Sequence, residues 1–181
     1  MTFLDAACFL FAGPVPIRVW IVGHSIVHWA GARAWDTGLA GHLGLSPNLR
    51  VTWLGKRGML WDELVPLVRN RVFWVGPPDI LVIQLGENDL PRTGCRVMRF
   101  LIRRDLKILG ASLPDTVLIW SHLLQRAAWR GARSLAAVDK ARRRINGVAV
   151  ITVRALGGTD IPHPGITFLA VSYTHLRAHE T

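Results

Sequence analysis

Residues 79–90, with the sequence DILVIQLGENDL, carry the strongest structural signal in the chain. Residues 79–85 form a short apolar run, which is typical of a strand buried on both faces of a parallel sheet. The run stops at Gly86, and a polar loop follows. Because ligands bind beyond the carboxyl ends of such strands, this loop is a candidate for chemistry.

The same order of strand, glycine and loop recurs elsewhere in the chain. Residues 17–22 (IRVWIV) stop at Gly23, and the apolar spacing then changes from about two residues to the roughly 3.6 expected of a helix capped by Ser25. Further strands are predicted at 49–54, 116–120 and 159–161, and helices at about 61–71 and 96–109. This alternation predicts an α/β fold, a three-layer αβα sandwich with a mostly parallel central sheet of about five strands.

Residues 132–153 give two conflicting signals. The first part, up to Asn146, is helix-like and basic, whereas residues 148–153 (VAVITV) have strand propensity. The boundary between helix and strand stays open at this point.

Three predicted loops carry groups suited to acyl transfer. Ser25 lies at a helix start, where free N–H groups favour negative charge beside its hydroxyl. The backbone N–H groups of Ser25 and Gly58 and the side-chain amide of Asn88 could hold an oxyanion, and one such donor is typically worth about 10²–10³ in rate. Each also has a structural interpretation: a helix cap, a positive-φ glycine and a turn residue.

These residues resemble the blocks of the SGNH (GDSL-like) hydrolases. GHSI at 23–26 is similar to the first block, normally Gly-Asp-Ser, whose serine is the nucleophile; Gly58 in KRGM resembles the second-block glycine; and GEND at 86–89 resembles the third block, Gly-x-Asn-Asp. The likeness runs from about residue 17 to 170. In its amino-acid sequence the chain most resembles a vertebrate subgroup of this family, some of whose members accompany retroelements. It implies a cofactor-free serine esterase acting on a small ester.

The sequence departs from the family at two places. His24 replaces the aspartate of the first block. The family's last block, Asp-x-x-His followed by a Leu-Ser-like pair, supplies the general base and its carboxylate. Asp160 and His163 have that spacing, but Pro164 follows and no Leu-Ser pair appears. Either these two residues are the dyad, or the true block lay beyond residue 170, and the chain is truncated and inactive or impaired.

The two ends of the chain are predicted to lie outside the domain. Residues 171–181 (VSYTHLRAHET) resemble a translated sequencing adapter, so we expect an artefactual tail. Residues 17–170 would then be an incomplete SGNH hydrolase-like domain, and residues 1–16 a disordered leader or linker. The stretch 6–12 is similar to a short signal peptide but lacks a basic start, and a cytoplasmic location is the expectation over secretion.

Composition supports a second hypothesis. Lys and Arg number 22 against 12 Asp and Glu, giving a formal net charge of +10. The alternative function is therefore a non-catalytic module that contacts nucleic acid or a protein partner through basic residues at 126–144, namely Arg126, Arg130, Arg133, Lys140, Arg142, Arg143 and Arg144. No apolar run reaches 18 residues, so no membrane span is predicted. No metal or nucleotide motif occurs, and the sequence leaves the oligomeric state open.

Overall fold

A computed structural model describes residues 15–129 and 131–166. In chain order, the strands are β1 (Ile17–Gly23), β2 (Leu49–Gly55), β3 (Ile80–Gln84), β4 (Val117–Ser121) and β5 (Thr159–Ile161). The helices are α1 (Ser25–Asp36), α2 (Leu64–Val75), α3 (Cys95–Ser112) and α4 (Leu135–Ala155), with a 3₁₀ turn at Trp61–Glu63 before α2. Residues 1–14 and the adapter-like residues 171–181 lie outside the described ranges.

The five strands form one parallel sheet in the order β2-β1-β3-β4-β5. The chain moves from β1 outward to β2 and then returns to place β3 on the other side of β1. The strand order therefore reverses between β1 and β3. At such a point the two following loops diverge and leave a crevice at the carboxyl edge of the sheet.

The two faces of the sheet are covered by different helices. Trp20 and Val22 of β1 belong to the main core, to which α2, α3 and α4 contribute Val68, Met98, Ile102, Leu106, Ile145, Ala149 and Val153. Side chains alternate along a strand, so Ile21 and its register partner Trp53 face the other way. Gly31 of α1 packs against Trp53 there. The predicted three-layer αβα arrangement is thus confirmed.

The conflict at residues 132–153 is resolved in favour of one helix, α4. Its buried residues in the disputed part are Val148, Ala149, Thr152 and Val153, which recur with helical and not alternating spacing. Packing of this face against the core overrides the strand propensity of VAVITV.

Candidate active site

The loops after β1 and β3 meet at the point where the strand order reverses. Nε2 of His24 donates a hydrogen bond to Oε2 of Glu87 over 2.7 Å, and both side chains are fully buried. His24 immediately precedes Ser25, and Glu87 immediately precedes Asn88. This one buried contact therefore joins the first and third predicted site loops.

The residue that caps α1 is His24, so the prediction that Ser25 caps the helix is wrong. His24 occupies the N-cap position, and its Nδ1 accepts a hydrogen bond from the backbone N–H of Ile26 at 3.3 Å. Ser25 is the first residue of the helix. The backbone N–H of Ile26 donates to an imidazole nitrogen and not to a serine hydroxyl, so the Ser25 hydroxyl is not used to cap the helix. The Ser25 Oγ lies 3.5 Å from Nδ1 of His24.

Glu87 sits in a pocket of hydrogen-bond donors. Besides His24, the Nε2 of Gln84 donates to Oε1 of Glu87 at 2.6 Å, and the backbone N–H of Leu124 donates to the same oxygen at 3.2 Å. Burial by itself raises the pKa of Glu87, but attraction to His24, the hydrogen bond from His24 and the charge of Arg126 together lower it to about 2. Glu87 is consequently a buried carboxylate at neutral pH.

Asn88 connects the third site loop to the second. Its Nδ2 donates to the backbone carbonyl of Met59 at 3.0 Å. Met59 follows Gly58, whose φ is +74° and whose α-carbon faces open space. A primary amide has two hydrogens, so one remains for another acceptor. The structure thus places Asn88 beside the Gly58 loop, and the residue before it, Glu87, contacts the residue before Ser25.

Asp89 makes a second connection between the loop after β3 and the segment that follows Gly58. Its Oδ2 accepts a hydrogen bond from the backbone N–H of Trp61 at 3.1 Å, and the residue is 8% exposed. Burial raises the pKa of Asp89 to about 6, against the lowering effect of the Trp61 N–H. Trp61 is held in turn by Asp105 of α3, which accepts from its Nε1 at 2.8 Å. Asp89 therefore joins the loop after β3 to the turn that precedes α2.

Two glycines set the close approach of the backbone at this edge. A Cβ on Gly23 would lie 2.2 Å from the carbonyl oxygen of Gln84, and a Cβ on Gly55 would lie 2.4 Å from the backbone nitrogen of His28. Both contacts are with backbone, which cannot move aside as a flexible side chain can. The glycine that ends β1 is thus required for β1 and β3 to deliver His24 and Glu87 to each other.

Asp160 and His163 are hydrogen-bonded to other residues and not to each other. Asp160 binds Nε2 of His122 at 2.8 Å and Nε of Arg154 at 2.8 Å, whereas Nε2 of His163 lies 2.8 Å from the Ser121 Oγ. Burial raises the pKa of Asp160, but the hydrogen bonds from His122 and Arg154 outweigh it and hold the pKa below its ordinary value. Burial, and then the charge of His122, lower the pKa of His163. The pairing expected of a catalytic dyad is not the pairing that this structure shows.

Part of the basic stretch at 126–144 is already neutralised. Arg142 and Arg143 both pair with Asp139, at 2.8 and 2.5 Å.

Arg126, in the same stretch, lies at the candidate site. Its Nη2 is 3.4 Å from Nε2 of His24, and its guanidinium stacks 5.3 Å from the ring centre of Trp129. Arg130 lies outside the described residues. Contact with nucleic acid through this stretch stays a prediction.

The same fold occurs in solved hydrolases. A GDSL-like lipase from Bacteroides thetaiotaomicron matches with a TM-score of 0.61 at 16% sequence identity, over 89% of this chain and 77% of the lipase. A lipase/acylhydrolase from Enterococcus faecalis matches with a TM-score of 0.60 at 18% identity, over 90% and 92% of the two chains. This chain has the SGNH-hydrolase fold.

A third structure, an SGNH-hydrolase family esterase, matches the fold with a TM-score of 0.59 at 14% identity, covering 94% of this chain and 86% of the esterase. No protein-family model and no curated protein matches the sequence. The SGNH resemblance is thus confirmed for the fold, whereas the vertebrate subgroup, the adapter-like tail and the roles of individual site residues stay predictions. No helix in the described ranges is long and apolar enough to cross a bilayer.

Sequence reasoning missed the residues that hold the site together. Glu87 stands at the variable position of Gly-x-Asn-Asp, so the family pattern draws no attention to it. The usable signal is that two titratable residues, His24 and Glu87, directly follow the glycines that end two predicted strands. The structure shows these strands to be neighbours in the sheet. A titratable side chain buried at the end of a strand needs a hydrogen-bonding or oppositely charged partner.

Proposed function

We propose that this chain is an SGNH-type esterase domain in which Ser25 is the nucleophile. The observation that carries the proposal is the buried His24–Glu87 contact, because it sets Ser25 against the loop that presents Asn88. The Oγ of Ser25 would attack the carbonyl carbon of an ester and form an acyl-enzyme, with release of the alcohol. The SGNH fold, whose solved examples include lipases and esterases, agrees with an acyl ester as substrate.

The oxyanion formed in that attack would be held by three donors on three loops. Ser25 offers its N–H at the first turn of α1, where the helix has no partner for it. Gly58 offers an N–H from an exposed positive-φ turn, and Asn88 offers the amide hydrogen that Met59 does not take. Such donors matter because they are already oriented before charge develops.

A general base completes the mechanism. In the family it comes from the final Asp-x-x-His block, which residues 160–163 match only by spacing. Because Asp160 is committed to His122 and Arg154, a dyad of Asp160 and His163 would require both residues to change partners. We therefore do not assign the base to His163.

The test is hydrolysis of p-nitrophenyl acetate by the 181-residue chain and by Ser25→Ala, with release of p-nitrophenol followed from the first seconds. The matched control is Ser112→Ala, an exposed serine at the end of α3. We expect release by the parent chain and by the control, in a single burst or with turnover, and background release by Ser25→Ala. Equal release by Ser25→Ala and the parent chain would remove Ser25 from the mechanism.

A further inference from the structure

Arg126 is a cation at the candidate site whose hydrogen-bond donors are unused among the described residues. Its Nη2 lies 3.4 Å from Nε2 of His24, but that nitrogen donates its own proton to Glu87 and has no lone pair to offer. Its Nε is buried and has no acceptor in the part of the chain that the structure describes. No ion pair joins Arg126 to a carboxylate of residues 15–129 or 131–166. Because an unmatched buried N–H is costly, these donors point to an acceptor on a bound molecule.

A cavity of about 320 Å³ lies directly beside this side chain. That volume falls at the lower end of the range of about 300–1,000 Å³ that is typical of small-molecule sites. The apolar part of its wall consists of Ala127, Trp129, Leu135 and Ala136, and its charged groups are Arg126 and Asp139. An apolar wall with a guanidinium in it suits a short hydrocarbon chain that ends in an anion.

Trp129 fixes the plane of the Arg126 guanidinium. The guanidinium carbon lies 5.3 Å from the centre of the indole ring, and Trp129 is itself only 5% exposed. Stacking occupies a face of the guanidinium and leaves its edge, where all five N–H bonds lie, for an acceptor. A planar edge with paired N–H bonds matches a carboxylate, whose two oxygens accept two of them in parallel.

The charges around the cavity favour one further negative charge. Asp139 is paired with both Arg142 and Arg143, so its carboxylate is matched by two cations. Glu87 interacts with the charge of Arg126, which helps to lower the pKa of Glu87, but the two side chains form no ion pair. Three cations thus face two carboxylates, and this surplus suits a monoanion such as a carboxylate better than a phosphate dianion.

Resting on the proposed function of Ser25, we propose that Arg126 is a specificity-determining residue that binds a free carboxylate at the far end of the acyl chain. The Arg126 Nη2 and the Ser25 Oγ lie against different nitrogens of one imidazole, at 3.4 and 3.5 Å. The two atoms are therefore separated by at most the width of that ring and two contacts, a distance that a chain of a few methylenes spans. The substrate class is half-esters of dicarboxylic acids, in which one carboxyl group is the scissile ester and the other is ionised.

Binding is measured apart from the reaction, in the full 181-residue chain carrying Ser25→Ala. The probes are monomethyl adipate, which has one carboxylate, and dimethyl adipate, its neutral counterpart, each titrated at pH 7 and followed by backbone amide NMR signals. The second substitutions compared are Arg126→Gln and Arg133→Gln, because each removes one arginine charge and Arg133 is exposed and does not line the cavity. We expect monomethyl adipate to bind about 10–10²-fold more tightly than dimethyl adipate, the usual effect of charge-assisted hydrogen bonds. Arg126→Gln should remove this preference, and Arg133→Gln should preserve it.

The reaction gives a second measurement. Release of p-nitrophenol in the first seconds is compared for mono-p-nitrophenyl adipate and for its neutral methyl ester, and release by Ser25→Ala is subtracted from each. The parent chain should release p-nitrophenol about 10–10²-fold faster from the charged ester at low ester concentration, because Arg126 holds its carboxylate. The ratio of the two rates should fall toward one in Arg126→Gln and stay at the parent value in Arg133→Gln.

The outcomes separate this inference from the proposed function. Equal release by Ser25→Ala and the parent chain overturns the proposed function, and the titrations then decide on the carboxylate site alone. Release that depends on Ser25 but is equal for the two esters leaves the nucleophile in place and overturns the role of Arg126. Binding without preference for the carboxylate, or a preference that a folded Arg126→Gln retains, also overturns it. The comparison of charged with neutral probes needs no change at residue 126, so it decides even where Arg126→Gln does not fold.

Discussion

Replacement of Glu87 by Gln should make the acid stability of the protein change in a defined way. The pKa of Glu87 is lowered from 4.5 to about 2, a difference worth about 3 kcal/mol of folding free energy once the carboxylate is ionised. Because the folded-state pKa is depressed, this stabilisation is present above about pH 5 and is lost as pH falls toward 2. The attraction to His24 and the hydrogen bonds from His24 and Gln84 are the contacts that lower this pKa against the effect of burial.

The assay is urea unfolding of the parent chain and Glu87→Gln at pH 7, 5 and 3. The difference in unfolding free energy between the two proteins should shrink by about 2 kcal/mol between pH 5 and pH 3, since about that share of the stabilisation is lost there. Gln is isosteric, so the subtraction cancels other groups, including Asp89. The same difference at pH 5 and pH 3 would mean that Glu87 does not ionise as a paired buried carboxylate and would refute the reasoning.

Two further predictions concern the neighbours of this pair. Asp89→Asn should stabilise the fold at pH 7 by about 2–3 kcal/mol and give no gain below pH 4, because burial raises the pKa of Asp89 to about 6 and ionised Asp89 lowers the free energy of unfolding. Urea unfolding of the parent and the variant at the two pH values measures the gain. A gain that does not depend on pH would contradict the prediction. Gly23→Ala should cost about 3 kcal/mol or prevent folding, because its Cβ would lie 2.2 Å from the Gln84 carbonyl oxygen. The control Gly147→Ala is exposed in α4 with no atom near its added Cβ, and it should stabilise by about 0.5–1 kcal/mol. Melting temperatures that shift in the same direction in both variants would count against the close approach of β1 and β3.

Much of the fold could be predicted because each strand has a local signature. β1 and β3 are short apolar runs that stop at or just before a glycine, and β5 was predicted at 159–161, where the structure has it. The disputed segment 148–153 could not be settled locally, because its Val and Ile residues suit a strand or the apolar face of a helix equally well. Only packing of α4 on the core decides between them.

The candidate site was predictable in its parts and not in its connections. Ser25, Gly58 and Asn88 follow strands, so a shared edge could be expected from topology alone. The partners of His24 depend on contacts 63 residues apart. The partner of Asp160 depends on which loop reaches it, the loop after β4 with His122 or the turn after β5 with His163. Sequence spacing alone favours His163, but the parallel pairing of β4 with β5 brings His122 to Asp160.

The most direct test of the central claim is to find the residue that a fluorophosphonate modifies. Tryptic cleavage places Ser25 in the peptide 19–33, which contains no other Ser, Thr or Tyr, and places Ser121, the only other described serine shown against a histidine ring nitrogen, in the peptide 108–126. We predict that the added mass appears on peptide 19–33 and nowhere else. Modification of peptide 108–126, or of no peptide while the protein is folded, would contradict a nucleophile at the junction of the β1 and β3 loops.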